Sequence, residues 1–159
     1  MGDDPRMVDP GRAPTPFSAA EIRTGCPEGR AVTIRYVDSN GQVTYWTTTF
    51  TKCDETGTVL VDQEIDEQGK PIGETSRLKA SWDELRAHAS FPIAQTTISR
   101  ETIETRLGEF DCLRYEVDDG ESLETLWFAT DLPGLPIKTQ EGEGAGARQS
   151  SEVIGNAYA

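Results

Sequence analysis

Histidine appears once in the 159 residues, at His88, and cysteine three times, at Cys26, Cys53 and Cys112. No C-x-x-C pair occurs, and one histidine is too few for a usual zinc site, so no metal or other cofactor is expected. No run of about 18 apolar residues exists, which rules out a transmembrane helix by composition. Basic residues are also scarce: 15 Lys and Arg stand against 28 Asp and Glu, a net charge of −13. A surface that acidic repels phosphate backbones and anionic lipid head groups, so no nucleic-acid partner is expected. The start, Met1-Gly2-Asp3-Asp4-Pro5-Arg6, lacks the apolar segment of a signal peptide. Arg6 stands where a myristoylation site wants Ser or Thr. The expected location is cytoplasmic if the chain is complete, and periplasmic or extracellular if an export signal has been removed.

What the chain does have is a β pattern. A hydrophobic fraction of 35 % and a mean hydropathy of −0.54 fit a β-rich domain with one solvated sheet face. Residues 1–16, with four prolines and no apolar period, read as a flexible N-terminal tail. Residues 17–159 read as a single β-rich domain. Ser18-Ala19-Ala20-Glu21 has capping-box spacing and opens a short helix ending near Gly25. Ser81-Trp82-Asp83-Glu84 repeats the spacing and starts a helix to about Ala89. The rest is extended runs between turns: 30–37, 42–53, 58–66, 72–79, 96–107, 109–117, 122–129, 137–140 and 148–154. Asp38-Ser39-Asn40-Gly41 is a strong hairpin turn signal, and Asp54-Glu55-Thr56-Gly57, Glu67 to Pro71 and Asp118 to Glu121 are further turns. Tight turns at short spacing argue for an antiparallel meander of about eight strands with two short helices, mainly β within the α+β class.

Few residues suggest chemistry. A catalytic His88 would need a nucleophile and an orienting acid, and none is nominated; a solvated side chain at a helix end is the simpler reading. Asp62, Glu64 and Asp66 alternate along one strand, as on a solvated sheet face, and lack the D-x-D-x-D-G pattern of a calcium loop. Gly142 to Arg148 lacks the Lys-Ser/Thr of a phosphate loop and reads as a hairpin loop. No enzyme is expected, with a carboxylate-dependent hydrolase as a remote alternative. If Val37 pairs with Gln42, the same register places Cys26 opposite Cys53. A Cys26–Cys53 disulfide is then the expectation, with two buried free thiols as the alternative. Cys112, in mid-strand, reads as an inert buried or edge thiol.

Aromatic residues carry the strongest binding signal. Adjacent pairs in a strand must split between its faces, so Tyr45 parts from Trp46 and Trp127 from Phe128. A large ring then reaches a face that is otherwise solvated, where a helix, the tail, a ligand or a partner must cover it. Trp46, Trp82, Phe91, Trp127 and Phe128 are the candidate ligand-binding residues. Between the last two and the next strand lies Leu132-Pro133-Gly134-Leu135-Pro136-Ile137-Lys138, read as a structural corner.

Gly108-Glu109-Phe110-Asp111-Cys112-Leu113-Arg114-Tyr115, then Trp127-Phe128-Ala129 and the Leu132 to Lys138 turn, resemble a recurrent pattern of uncharacterised bacterial β-rich proteins. These in turn resemble the lipoprotein-carrier (LolA-like) fold group. The resemblance implies a strongly curved antiparallel sheet with the two helices packed on its concave side, usually in an exported protein. It brings no catalytic residues. The expected function is thus a non-enzymatic binding module holding a lipid-like or other apolar small molecule in a groove between sheet and helices. The alternative is a structural or protein-interaction component of a bacterial assembly, with a protein as partner.

Overall fold

The computed structural model describes residues 10–142 and 148–158. Both helices start where serine can cap them. In α1 (Ala19–Gly25) the Ser18 hydroxyl accepts from the Glu21 amide, and the Glu21 carboxylate accepts from the Ser18 amide. Ser81 and Glu84 repeat this reciprocal pairing at α2 (Trp82–Ala87). Two helices of six and seven residues cannot persist alone. They pack on each other and bury Ile22 and Trp82.

Apart from one 3₁₀ turn, the remaining regular structure among the described residues is one antiparallel sheet. Its strands are β1 (Ala31–Val37), β2 (Val43–Thr51), β3 (Gly57–Ile65), β4 (Pro71–Ser81), β5 (Thr96–Thr105), β6 (Gly108–Asp118), β7 (Leu123–Ala129), β8 (Lys138–Glu141) and β9 (Gln149–Ala157). Among the described residues the sheet has nine strands rather than about eight, and the four-residue β8 pairs with β7 on one side and β9 on the other. The spatial order is β4-β3-β2-β1-β9-β8-β7-β6-β5, an open sheet with β4 and β5 at its edges. Two meanders, β1 to β4 and β5 to β9, are joined by the β1–β9 ladder. The segment with α2 and a 3₁₀ turn (Ile93–Gln95) carries the chain from one edge strand to the other. β5 also approaches β9, although three strands lie between them in the ladder.

Paired residues of neighbouring strands share a face. One face collects Val32, Ile34, Phe50, Leu60, Tyr115 and Phe128, all buried, and it carries both helices. The Tyr115 and Phe128 rings meet edge to face at 5.3 Å, and Phe17 adds a second such contact to Phe128 at 6.2 Å.

Three local expectations change. The part of the expected tail that is described, from Pro10 onward, includes a docked run. Ala13, Thr15 and Pro16 are buried, the Ala13 amide donates to the Phe91 carbonyl, and Tyr115 donates its hydroxyl proton to the Pro14 carbonyl. Proline-rich composition gave no sign of partners so far along the chain. Residues 1–9 lie outside the described residues, as does most of the loop expected over 142–148. The first hairpin has Val37 facing Val43, not Gln42. Asp38 explains the difference: its carboxylate accepts from the Asn40 and Gln42 amides, and Gly41 takes φ +80°, so five residues make the turn.

Candidate functional site

Between α2 and the helix-bearing face lies a cavity of about 210 Å³. Ile22, Phe50, Leu60, Leu85, Leu126 and Phe128 are among its walls. An open groove of about 580 Å³ adjoins it, sharing Leu60, His88 and Leu135. The groove floor is the inner face of β1 to β4, with Ile34, Tyr36, Trp46, Asp62 and Leu78. Alternation places these side chains: Ile34 faces Trp46, and Leu60 faces Leu78, across their ladders. The short helices do not reach this end of the sheet, so Leu78 is 53 % and Tyr36 41 % exposed.

Asp62 is the carboxylate on the floor. It accepts from the Thr48 hydroxyl at 2.7 Å. Burial and then the Asp62 charge push the Tyr36 phenol above its ordinary value. Glu64, next on the same face, stands directly across from Trp46. These acids lie on the helix-bearing face rather than the outer one, beyond the reach of the helices. Asp66 serves the following turn, accepting from the Gln68 and Lys70 amides. His88 follows the last residue of α2; its amide is bonded to the Leu85 and Arg86 carbonyls, and its exposed side chain borders both parts of the groove.

The five aromatic candidates do not converge. Trp46 lines the open groove and Phe128 the smaller cavity beside it. Trp82 is buried at the start of α2, with its indole N–H on the Asp54 carbonyl at 2.8 Å. Phe91 packs on Tyr115 with ring centres 6.2 Å apart. Trp127 lies on the opposite face from Phe128, yet is only 7 % exposed. Its ring is held between the Arg114 guanidinium at 5.7 Å and the Lys138 ammonium at 5.2 Å, and its N–H donates to Glu101 at 2.8 Å. These neighbours occupy the space where a ligand would stack. Sequence reasoning missed Phe50, Leu60, Leu126, Leu135 and Asp62. A signal existed for some: Phe50 shares the parity of Trp46 along β2, and Asp62 that of Leu60 along β3.

No disulfide forms: Cys26, Cys53 and Cys112 are free thiols. The observed hairpin register would place Cys26 opposite Asp54, and the ladder ends at Ala31. The Cys53 thiol instead approaches the Cys26 carbonyl at 3.6 Å and the Thr58 hydroxyl at 3.3 Å. Cys26 belongs to a different arrangement, centred on Arg30, which is 3 % exposed. Arg30 donates to the Pro133 carbonyl at 2.6 Å, the Gly25 carbonyl at 3.1 Å, the Cys26 sulfur at 3.2 Å and the Asn156 side chain at 2.8 Å. It thereby ties the end of α1, the Leu132 to Pro136 corner and the end of β9 together. Gly134 sits in this corner at φ +119°, where a Cβ would come to 3.0 Å from the Cys26 sulfur. Burial raises the Cys26 pKa, and the opposing Arg30 charge does not overcome it. Cys112 is pushed up to about 11, by burial first and then by Glu101 and Asp111.

Neither a known family model nor a curated protein matches this sequence. Among solved structures, the chain is similar to a protein of Bacteroides fragilis NCTC 9343, described as putatively exported and with a YmcC-like fold. The match covers 82 % of this chain and 96 % of that one, with a TM-score of 0.51 at 13 % identity. A likeness at that identity concerns the fold alone.

Proposed function

We propose that the chain is a non-catalytic binding module whose ligand is an apolar molecule held between α2 and the helix-bearing face of the sheet. The observation that carries this reading is the continuity of an aliphatic and aromatic cavity with an open groove on one side of α2. The finer architecture belongs to the same reading: a sheet strongly curved about helices on its concave side, as in the lipoprotein-carrier group. The approach of β5 to β9 supports curvature, because a flat sheet would hold strands four places apart at roughly 19 Å.

Extraction of the purified protein with organic solvent, read by mass spectrometry, is the test, together with titration of a fluorescent fatty-acyl probe. Bound amphiphile or a saturable response is expected, reduced in Phe128→Ala. A protein without bound lipid and with no response to any probe sinks the reading.

Edge strand β4 favours a second reading, as an interaction component. Nine of its residues from Pro71 onward are exposed, including Ile72 at 45 % and Leu78 at 53 %. An open edge can accept a strand from another chain. Light scattering after size exclusion tests it: a concentration-independent monomer argues against self-pairing through β4.

A further inference from the structure

We propose that the groove selects an amphiphile with a hydrocarbon body and an ammonium head, the head lying over Asp62 and Glu64 beside Trp46 and Tyr36. The inference rests on the groove reading above and adds the class of ligand. Four observations carry it.

First, the carboxylates at this end of the groove come from one strand. Asp62 and Leu60 are walls of the groove, and Glu64, two residues beyond Asp62 on β3, shares their face at its margin. Second, among the described residues neither carboxylate has an ion-pair partner. Asp62 has the Thr48 hydroxyl, a neutral donor. Third, the other elements that face the groove contribute Ser76 and Leu78 from β4, His88 from the end of α2 and Leu135 from the corner loop; no Lys or Arg is among its walls. Fourth, the aromatic residues are at the right end. Trp46 is the cross-strand neighbour of Glu64, and Tyr36 lies close enough to Asp62 to feel its charge. Carboxylates beside π faces, partly withdrawn from water, are the chemistry that holds an alkylammonium, through charge-assisted hydrogen bonds and cation–π contact. The same groups repel a fatty-acid carboxylate entering head first. With a net charge of −13, the molecule as a whole adds attraction in the same direction.

The test is isothermal titration calorimetry with dodecylammonium and dodecanoate, each below its micelle-forming concentration. About 0.15 M salt confines electrostatics to roughly 8 Å. Dodecylammonium is expected to bind the wild type at least about tenfold more tightly, the effect of a single good charged contact. Asp62→Asn/Glu64→Gln is expected to abolish that preference while retaining dodecanoate binding. Glu104→Gln/Glu109→Gln, on β5 and β6 at the other end of the sheet, removes the same charge and should preserve it. Circular dichroism confirms that each variant is folded. Equal affinity for the two ligands, unaltered by Asp62→Asn/Glu64→Gln, overturns the head-group assignment and leaves the groove standing. Equal loss of preference in both double variants also overturns it, since the selectivity then belongs to overall charge. Failure of the wild type to bind either ligand removes the groove reading and this inference together.

Discussion

Arg30 shows how much one side chain can hold. Among the described residues no carboxylate pairs with its buried charge, and its hydrogens go to carbonyls, an amide oxygen and a thiol, while Phe50 and Tyr158 lie against its faces. Arg30→Ala leaves the Pro133 and Gly25 carbonyls to find new donors. A loss of about 3 kcal/mol or more is expected from urea unfolding. Arg30→Lys should recover less than half, because a point charge cannot span three segments. The thiols give a second prediction. Cys26 and Cys112 are 0 % and 2 % exposed with raised pKa, whereas Cys53 is half-buried. Iodoacetamide on the native protein should modify Cys53 alone, and all three thiols only after unfolding, as intact mass will show. The parting of Trp127 from Phe128 was legible in the sequence, because strand alternation is a local rule. The covering of Trp127 was not, since Glu101, Arg114 and Lys138 come from three other strands.

At the scale of elements, the capping boxes and all nine extended runs could be read directly. Serine and glutamate at the right spacing, and Asp-rich turns between alternating residues, act within a few residues of themselves. Register was less legible. One extra residue in the Asp38 to Gln42 turn slips the ladder by one place, and that removed the geometric argument for a disulfide. The docked segment at Ala13 to Pro16 was hidden for a different reason: its partners, Phe91 and Tyr115, are distant in sequence. A ladder position also makes a prediction. Glu124 on β7 stands across from Glu141 on β8, and loss of water together with the Glu141 charge raises the Glu124 pKa. A raised carboxylate costs stability at pH values above its folded pKa and ceases to do so as pH falls through it. Glu124 is exposed, so water screens the repulsion, and Glu124→Gln should stabilise at pH 7 by only a few tenths of a kcal/mol, roughly 0.2–0.5. The gain should shrink toward zero in acid, as thermal unfolding across pH will record.

For the whole molecule, strand neighbours within each meander followed from turn signals, but the joining of the two meanders did not. Only the pairing of β1 with β9 makes one sheet of them, and nothing local in Ala31–Val37 announces a partner more than a hundred residues away. Truncation before Gln149 should leave β1 and β8 as bare edges. A protein ending at Gly142 is expected to aggregate or to lose cooperative unfolding, read by light scattering and by denaturant titration. The candidate groove lies mostly on the first meander and its cavity is closed by Leu126 and Phe128 of the second, so the same truncation should abolish acyl-probe binding. The late position of β9 has a further consequence during synthesis. A ribosome makes β9 after the eight other strands, so a nascent chain holds two half-sheets with unsatisfied inner edges until that strand emerges. Pairing of this kind is slow because the ends of a long loop must meet first. The inner edge of β1 thus stays open to mispairing while β2 to β8 are made, and a holding chaperone would meet this protein there.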